Sequence, residues 1–187
     1  MTKQWKTETS TGGAAGHPES PDGPTAKARE IVKRLPAIGY VTWLYSQSKG
    51  HRQLFIQDME WRVFPPVVLG QYKLRIDDKV GGLPTAYASW AFLSQEAESS
   101  YRATHKLRPG DWHSGDRLWL VDCVAPFGGA AALLEELYSE VHGDRETRLL
   151  YSDTGGIPVE TTLSELLQRS SGRDTGTSRA GASPRRH

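Results

Sequence analysis

Asp122 stands in the run Leu118-Trp119-Leu120-Val121-Asp122-Cys123-Val124, where its neighbours are all residues of a core strand. Strand alternation predicts that its carboxylate shares a face with Leu118, Leu120 and Val124. A carboxylate on an apolar face is costly unless something partners it. Backbone donors or an arginine would make Asp122 a structural residue. A histidine would make it half of an acid–base pair. His51 is the natural candidate for that partner. Ile38, Val41, Leu44, Tyr45 and Ser48 recur at helical spacing just before it, and the segment Ser48-Lys49-Gly50-His51 reads as a helix-end loop. A histidine there can present its ring to a cleft. A lone loop histidine is also commonly a surface residue, and spacing alone does not join His51 to Asp122.

Other residues invite chemistry less strongly. Cys123 would permit a covalent acyl-enzyme on sulfur. Alternation turns it away from Asp122, and a small buried core thiol is the better reading. Pro126-Phe127-Gly128-Gly129-Ala130 follows the strand and opens a helix, where backbone N–H groups favour an anion. A tight strand-to-helix turn needs glycine in any case. Trp112, Gly115, Asp116 and Arg117 form a polar turn before the Asp122 strand, as ordinary turn chemistry also would. The six histidines do not fall at zinc-ligand spacings, so no metal site is expected.

The elements that must position these residues are legible in outline. Thr25 to Leu35 reads as a short helix that Pro36 ends, and a second helix follows it to near Gly50. Pro65-Pro66 breaks the next apolar stretch. Tyr72, Leu74 and Ile76 alternate as a half-buried strand, Asp77 to Gly82 turns, and Thr85 to Leu93 returns. Ser94 caps a helix running to His105. Arg117 to Val124 is the strongest strand, with the run of a central one. Gly128 to Val141 is a helix with Leu133, Leu134, Leu137 and Val141 on one stripe. Arg148 to Tyr151 is a further strand and Thr162 to Arg169 a last short helix. Paired strands followed by strand, helix and strand predict an α/β sandwich on a mixed sheet.

Of the 187 residues, 1–24 and 170–187 are rich in Ser, Gly, Thr and charge, so both are expected to be disordered. Arg179, Arg185 and Arg186 make the second tail basic and open to an acidic partner, although a solvated tail is the better reading. The folded domain is expected over 25–169. Lys plus Arg number 23 against 22 for Asp plus Glu, which argues against a nucleic-acid surface. One cysteine excludes an internal disulfide and fits a reducing compartment. No run approaches the ~20 apolar residues of a membrane span, and the N-terminus carries no apolar signal region. Cytoplasmic residence without stable membrane insertion is the expectation.

Taken together the chain resembles a known family, the toxin-activating lysine acyltransferases of RTX toxin systems. The resemblance is carried by Ile38-Gly39-Tyr40-Val41-Thr42-Trp43-Leu44, Ser48, His51-Arg52, and Pro84 to Ala91 with Leu93-Ser94. It is densest in Asp111-Trp112, Ser114-Gly115-Asp116-Arg117, Trp119, Asp122 and Ala125-Pro126-Phe127-Gly128. It spans roughly Leu35 to Val141, and beyond Val141 it thins. It implies a GNAT-like acyltransferase fold, a mixed, mostly antiparallel sheet flanked by helices, and a homodimer. It implies a catalytic pair of His51 as general base and Asp122 as its orienting carboxylate. It implies an acyl-carrier-protein-bound fatty acid as donor through its phosphopantetheine thioester, no tightly bound cofactor, and a protoxin lysine as acceptor. Donor or substrate contacts then fall to Ser48, Trp90 and Arg117; the backbone N–H groups of Phe127, Gly128 and Gly129 suit the pantetheine phosphate, and Trp43, Trp90 and Phe92 suit an acyl groove, although most aromatics of this kind are core residues. Two other readings are an acetyl-coenzyme-A-dependent N-acetyltransferase, for which Phe127-Gly128-Gly129 is a poor pyrophosphate loop, and a catalytically inactive toxin-binding chaperone, against which the retention of both His51 and Asp122 speaks.

Overall fold

A computed structural model describes residues 24–143, 145–152 and 157–174. The disorder expected for 1–23 and 175–187 lies outside these residues. The chain folds as α1 (Pro24–Gln47), α2 (Met59–Arg62), α3 (Phe64–Leu69), β1 (Tyr72–Asp77), β2 (Leu83–Leu93) and α4 (Gln95–Thr104). It continues with β3 (Arg117–Val124), α5 (Ala130–Glu136), β4 (Arg148–Tyr151), β5 (Val159–Thr162) and α6 (Leu163–Asp174). The strands form one five-stranded sheet in the order β1-β2-β3-β4-β5. Only β3 and β4 run parallel; the other pairs are antiparallel. Among the described residues no helix is long and apolar enough to cross a membrane.

Helices cover both faces of the sheet. Leu133, Leu134 and Leu137 from α5 and its extension, with Leu163 of α6, pack on Ala86, Ala88, Trp90, Leu118 and Leu120. On the opposite face α1 and α3 bring Val41, Leu44, Tyr45 and Val67 against Tyr87 and Val124. Beside them Ala97 and Tyr101 of α4 and Trp112 cover Ala91, Leu93 and Trp119. The central place expected for Arg117 to Val124 is the one β3 occupies.

Several local expectations need correction. Pro36 does not end a helix; it lies inside α1. An interior proline costs about 3 kcal/mol, but Val41 and Leu44 are fully buried, each worth ~1.5–3 kcal/mol, so tertiary packing prevails. Pro65 and Pro66 start α3 rather than break a stretch, because the first turn of a helix needs no N–H there. The helix after Gly129 is α for seven residues and then a π-helix over Leu137–His142, which leaves Val141 41% exposed and off the stripe. Val159 to Thr162 is a strand, too short and polar to show a period, and α6 runs to Asp174, past the boundary expected at Arg169. Ser94 caps α4 as expected, its Oγ accepting from Ala97 N at 3.2 Å.

The most consequential difference is the phase of β3. Trp90 pairs with Leu120 and Ser89 with Asp122, so Val121 is an extra residue, a β-bulge. The bulge inverts the alternation. Leu118 and Leu120 face α5, whereas Asp122 and Val124 face α1. Asp122 is therefore not on the face of Leu118 and Leu120. Cys123 does lie opposite Asp122, paired with Ala88, but it is half-buried rather than sealed in the core. Beyond Trp119 and Leu120, β3 and β4 no longer pair, and a cleft of about 370 Å³ opens there, walled by Leu120, Cys123, Ala130, Leu149, Asp122 and Arg62 among others.

Candidate active site

Three elements converge on the bulge. α1 ends at Gln47, and the turn after it is held by His51 N donating to Ser48 O at 3.2 Å. That turn sets Ser48 and His51 side by side. The last turn of α1 contributes Tyr45, and α2 contributes Arg62. The placement of α2 is fixed from below: the fully buried Trp112 donates from Nε1 to Trp61 O at 2.9 Å. Trp112 belongs to the turn before β3, where Ser114 N and Gly115 N both donate to Phe92 O. A Cβ at Gly115 would stand 2.5 Å from Leu93 O, so only glycine fits.

Asp122 is buried, 5% exposed, and receives three donors. His51 Nε2 lies 3.0 Å from Oδ1, and Arg62 Nε donates to Oδ2 at 2.8 Å. The Tyr45 hydroxyl donates to the same Oδ2. Burial opposes the charge, but the hydrogen bonds from His51 and Arg62, with the guanidinium charge, hold the carboxyl well below the usual carboxylate range. Asp122 is thus an anion at any working pH. Burial and the same anion push the Tyr45 hydroxyl well up, so it stays a donor. The Tyr45 ring stacks on the imidazole with centroids 4.8 Å apart.

The other ring nitrogen of His51, Nδ1, lies 2.8 Å from Ser48 Oγ. With an anion at Nε2, the proton belongs on Nε2 and the lone pair on Nδ1, where the Ser48 hydroxyl donates. The array Ser48–His51–Asp122 has the connectivity of a hydrolytic triad. Ser48, however, sits at the C-terminal end of a helix, where the dipole opposes an alkoxide. Ser48 therefore orients the ring rather than attacks.

The remaining sequence candidates scatter. Trp90 is 6% exposed in the core on the α5 face, edge-on to His142. Arg117 is at the far end of β3, paired with the buried Glu98 at 3.3 Å. It and Phe92 border a separate groove of about 670 Å³. Phe127 is 56% exposed and packs on Trp43 at 5.5 Å. Gly128 and Gly129 both have positive φ, 92° and 84°, and Gly129 precedes the first residue of α5, Ala130, which touches the cleft. Cys123 also borders the cleft, but burial, and then the charge of Asp122, push its thiol up to about 12. It is no nucleophile at neutral pH.

Tyr45 and Arg62 join the site without a signal of their own in the expected set. In the sequence Tyr45 reads only as part of the helical period. Arg62 stands between Trp61 and Val63 in an apolar stretch, and a lone cation there calls for a buried anion. Both readings of Asp122, the arginine-satisfied residue and the histidine partner, meet in one carboxylate.

An imidazole held by a buried anion that lines a cleft on a mixed α/β sheet is equipment for group transfer to a nucleophile that must lose a proton. The chain belongs to the RTX toxin acyltransferase family, whose model matches residues 30–161. That match runs past Val141 through β4. The RTX-II toxin-activating lysine-acyltransferase of Actinobacillus pleuropneumoniae is 37% identical over 125 residues, 64% of this chain and 76% of that protein. A protein-lysine myristoyltransferase of Escherichia coli is 36% identical over 128 residues, 64% of this chain and 74% of the relative. A leukotoxin-activating lysine-acyltransferase of Aggregatibacter actinomycetemcomitans is 42% identical over 92 residues, about half of each chain.

Proposed function

We propose that this protein is a lysine acyltransferase that activates a protoxin, moving a fatty acyl group from the phosphopantetheine thioester of acyl carrier protein to lysine side chains. The observation that carries the reading is the 3.0 Å contact of His51 with the ionised Asp122, which itself lines the cleft where β3 and β4 part, in a chain of this family. A lysine amine, with an ordinary pKa of ~10.4, attacks in its neutral form and must then give up a proton to become an amide nitrogen. His51 Nδ1 is the base. Asp122 keeps the proton on Nε2 and stabilises the imidazolium that forms.

The donor thioester enters where β3 and β4 part. Support comes from the cleft's apolar walls and from the first residue of α5 at its edge, which lets the Gly128–Gly129 turn meet the pantetheine phosphate. The parting of two parallel strands also supports the GNAT-like arrangement. A homodimer fits the exposed apolar side chains Ile31, Val32 and Leu35 of α1 and Phe64, Val68 and Leu69 of α3. Trp90, in the opposite core, is assigned no part in the acyl groove.

Co-expression with a cognate protoxin is the test. Intact mass of the toxin should rise by one or more acyl groups, mapped to lysines, only when this protein is present. Purified acyl carrier protein loaded with a fatty acid should support the reaction in vitro. Transfer from acetyl coenzyme A alone would favour the N-acetyltransferase reading, and toxin binding without any mass change the chaperone reading.

A further inference from the structure

The His51–Asp122 pair explains how a proton leaves the amine. It does not explain what receives the charge that develops on the thioester oxygen. We infer that Arg62 is the electrophilic group of this site, donating from its guanidinium to that oxygen as it becomes an oxyanion. The inference rests on the acyl-transfer reading given above.

Arg62 is the only cationic side chain on the wall of the 370 Å³ cleft among the described residues. It is held there rigidly. Nε is fixed on Asp122 Oδ2 at 2.8 Å, the side chain is 23% exposed, and α2 is pinned through Trp61 O by Trp112. Nε is spent on Asp122 and the Tyr45 hydroxyl stands beside the guanidinium, so what Arg62 can offer a ligand at the cleft wall is the terminal N–H groups of the fork. A donor fixed before the reaction needs no reorganisation during it, which is what makes such groups effective.

Three neighbouring groups are unsuited to that role. Asp122 is an anion with three donors already on it. His51 has its proton on Nε2 against Asp122 and a lone pair on Nδ1, so it has no free N–H to offer an oxyanion. Cys123 is a neutral thiol.

The charges also balance. At rest Asp122 and Arg62 cancel, and with its proton on Nε2 His51 presents a lone pair at Nδ1. The neutral lysine amine attacks the carbonyl carbon, forming the N–C bond. The carbonyl π pair moves to oxygen, and His51 takes the proton from nitrogen. The site then holds a new anion on oxygen and a new cation on imidazole. Asp122 answers the imidazolium and Arg62 answers the oxyanion. Collapse of the intermediate breaks the C–S bond, and the imidazolium returns its proton to the leaving thiolate, giving amide and thiol.

The test compares wild type with Arg62→Gln and Arg62→Lys in acyl transfer and in the binding of two pantetheine probes carrying the same chain. One probe is a thioether without the carbonyl. The other is a difluoroketone that hydrates to a tetrahedral gem-diol. Wild type should prefer the ketone by about 10²-fold or more. Arg62→Gln should lower kcat by about 10²–10³-fold, erase the ketone preference, and leave thioether affinity and donor KM within a few-fold. Arg62→Lys keeps a charge for Asp122 but loses the fork, so it should retain part of both effects; it keeps the test decisive where Arg62→Gln does not fold. A variant that loses activity yet keeps the ketone preference overturns the inference, since Arg62 would then serve only to hold Asp122. Unchanged kcat overturns it as well. Wild type that binds neither probe and transfers no acyl group overturns the acyl-transfer reading itself, which the wild-type measurements alone reveal.

Discussion

His51, Asp122 and Cys123 make separable claims. General-base help is typically worth ~10²–10⁴ in rate, so His51→Ala should nearly abolish lysine acylation in a folded protein. Asp122→Asn keeps the shape but removes the anion that three donors surround, and should also lose most activity. The double variant should be hardly slower than His51→Ala alone, because the two act as one unit. Toxin mass after co-expression reads all three; losses that multiply would mean independent roles. Cys123→Ala should stay within a few-fold of the parent, since a thiol pushed up to about 12 supplies almost no thiolate. An acyl thioester trapped on the protein would overturn that.

At the scale of elements, the motif that carries most of the resemblance builds the fold before it touches chemistry. Trp112 reaches from the turn before β3 to Trp61 O and so positions α2. Trp112→Phe fills most of the space but drops that bond, at a cost near ~1 kcal/mol. Acylation should fall about tenfold or more while thermal unfolding shifts by only a few degrees; calorimetry beside a rate assay separates the two. The same elements mark how far the sequence could be read. β1, β2, β3, β4 and α4 were legible because their residues alternate or carry a cap. α2 and α3 were not, because four- and six-residue helices show no period and Pro65 suits both a start and a stop. Pro36 misled because packing of Val41 and Leu44 outweighs its local cost. His51 and Asp122 were found as residues, but the contact between them is tertiary. Arg62 went unread because its partner lies 60 positions away.

For the whole molecule, acid stability should follow His142. This histidine is 2% exposed beneath Trp90, with Nδ1 3.1 Å from Thr147 Oγ1 and Nε2 buried without a partner. Burial, then the charge of Arg145, lower it from 6.5 to about 4. Between those values the unfolded chain binds a proton that the folded one refuses. Stability is therefore full above pH 6.5 and falls as pH drops toward 4, by up to ~3 kcal/mol. The depressed Asp122 adds its own loss only below pH ~4. Urea midpoints from pH 8 to 4.5 should decline in the parent and flatten in His142→Leu; equal slopes would refute the assignment. The bulge at Val121 has a consequence of another kind, for it acts on the strand as a frameshift acts on a message. Up to Leu120 the strand is read in one frame, with even positions toward α5; from Asp122 onward it is read in the other. Removing Val121 would leave every later side chain on its present face and opposite its present partner, Asp122 on Ser89 and Cys123 on Ala88, because the ladder already passes from Leu120 to Asp122 in a single step of β2. A core strand that ordinarily tolerates no deletion should here accept one, giving a folded protein that keeps its ladder and loses only the local bend and added twist that the bulge puts beneath Asp122.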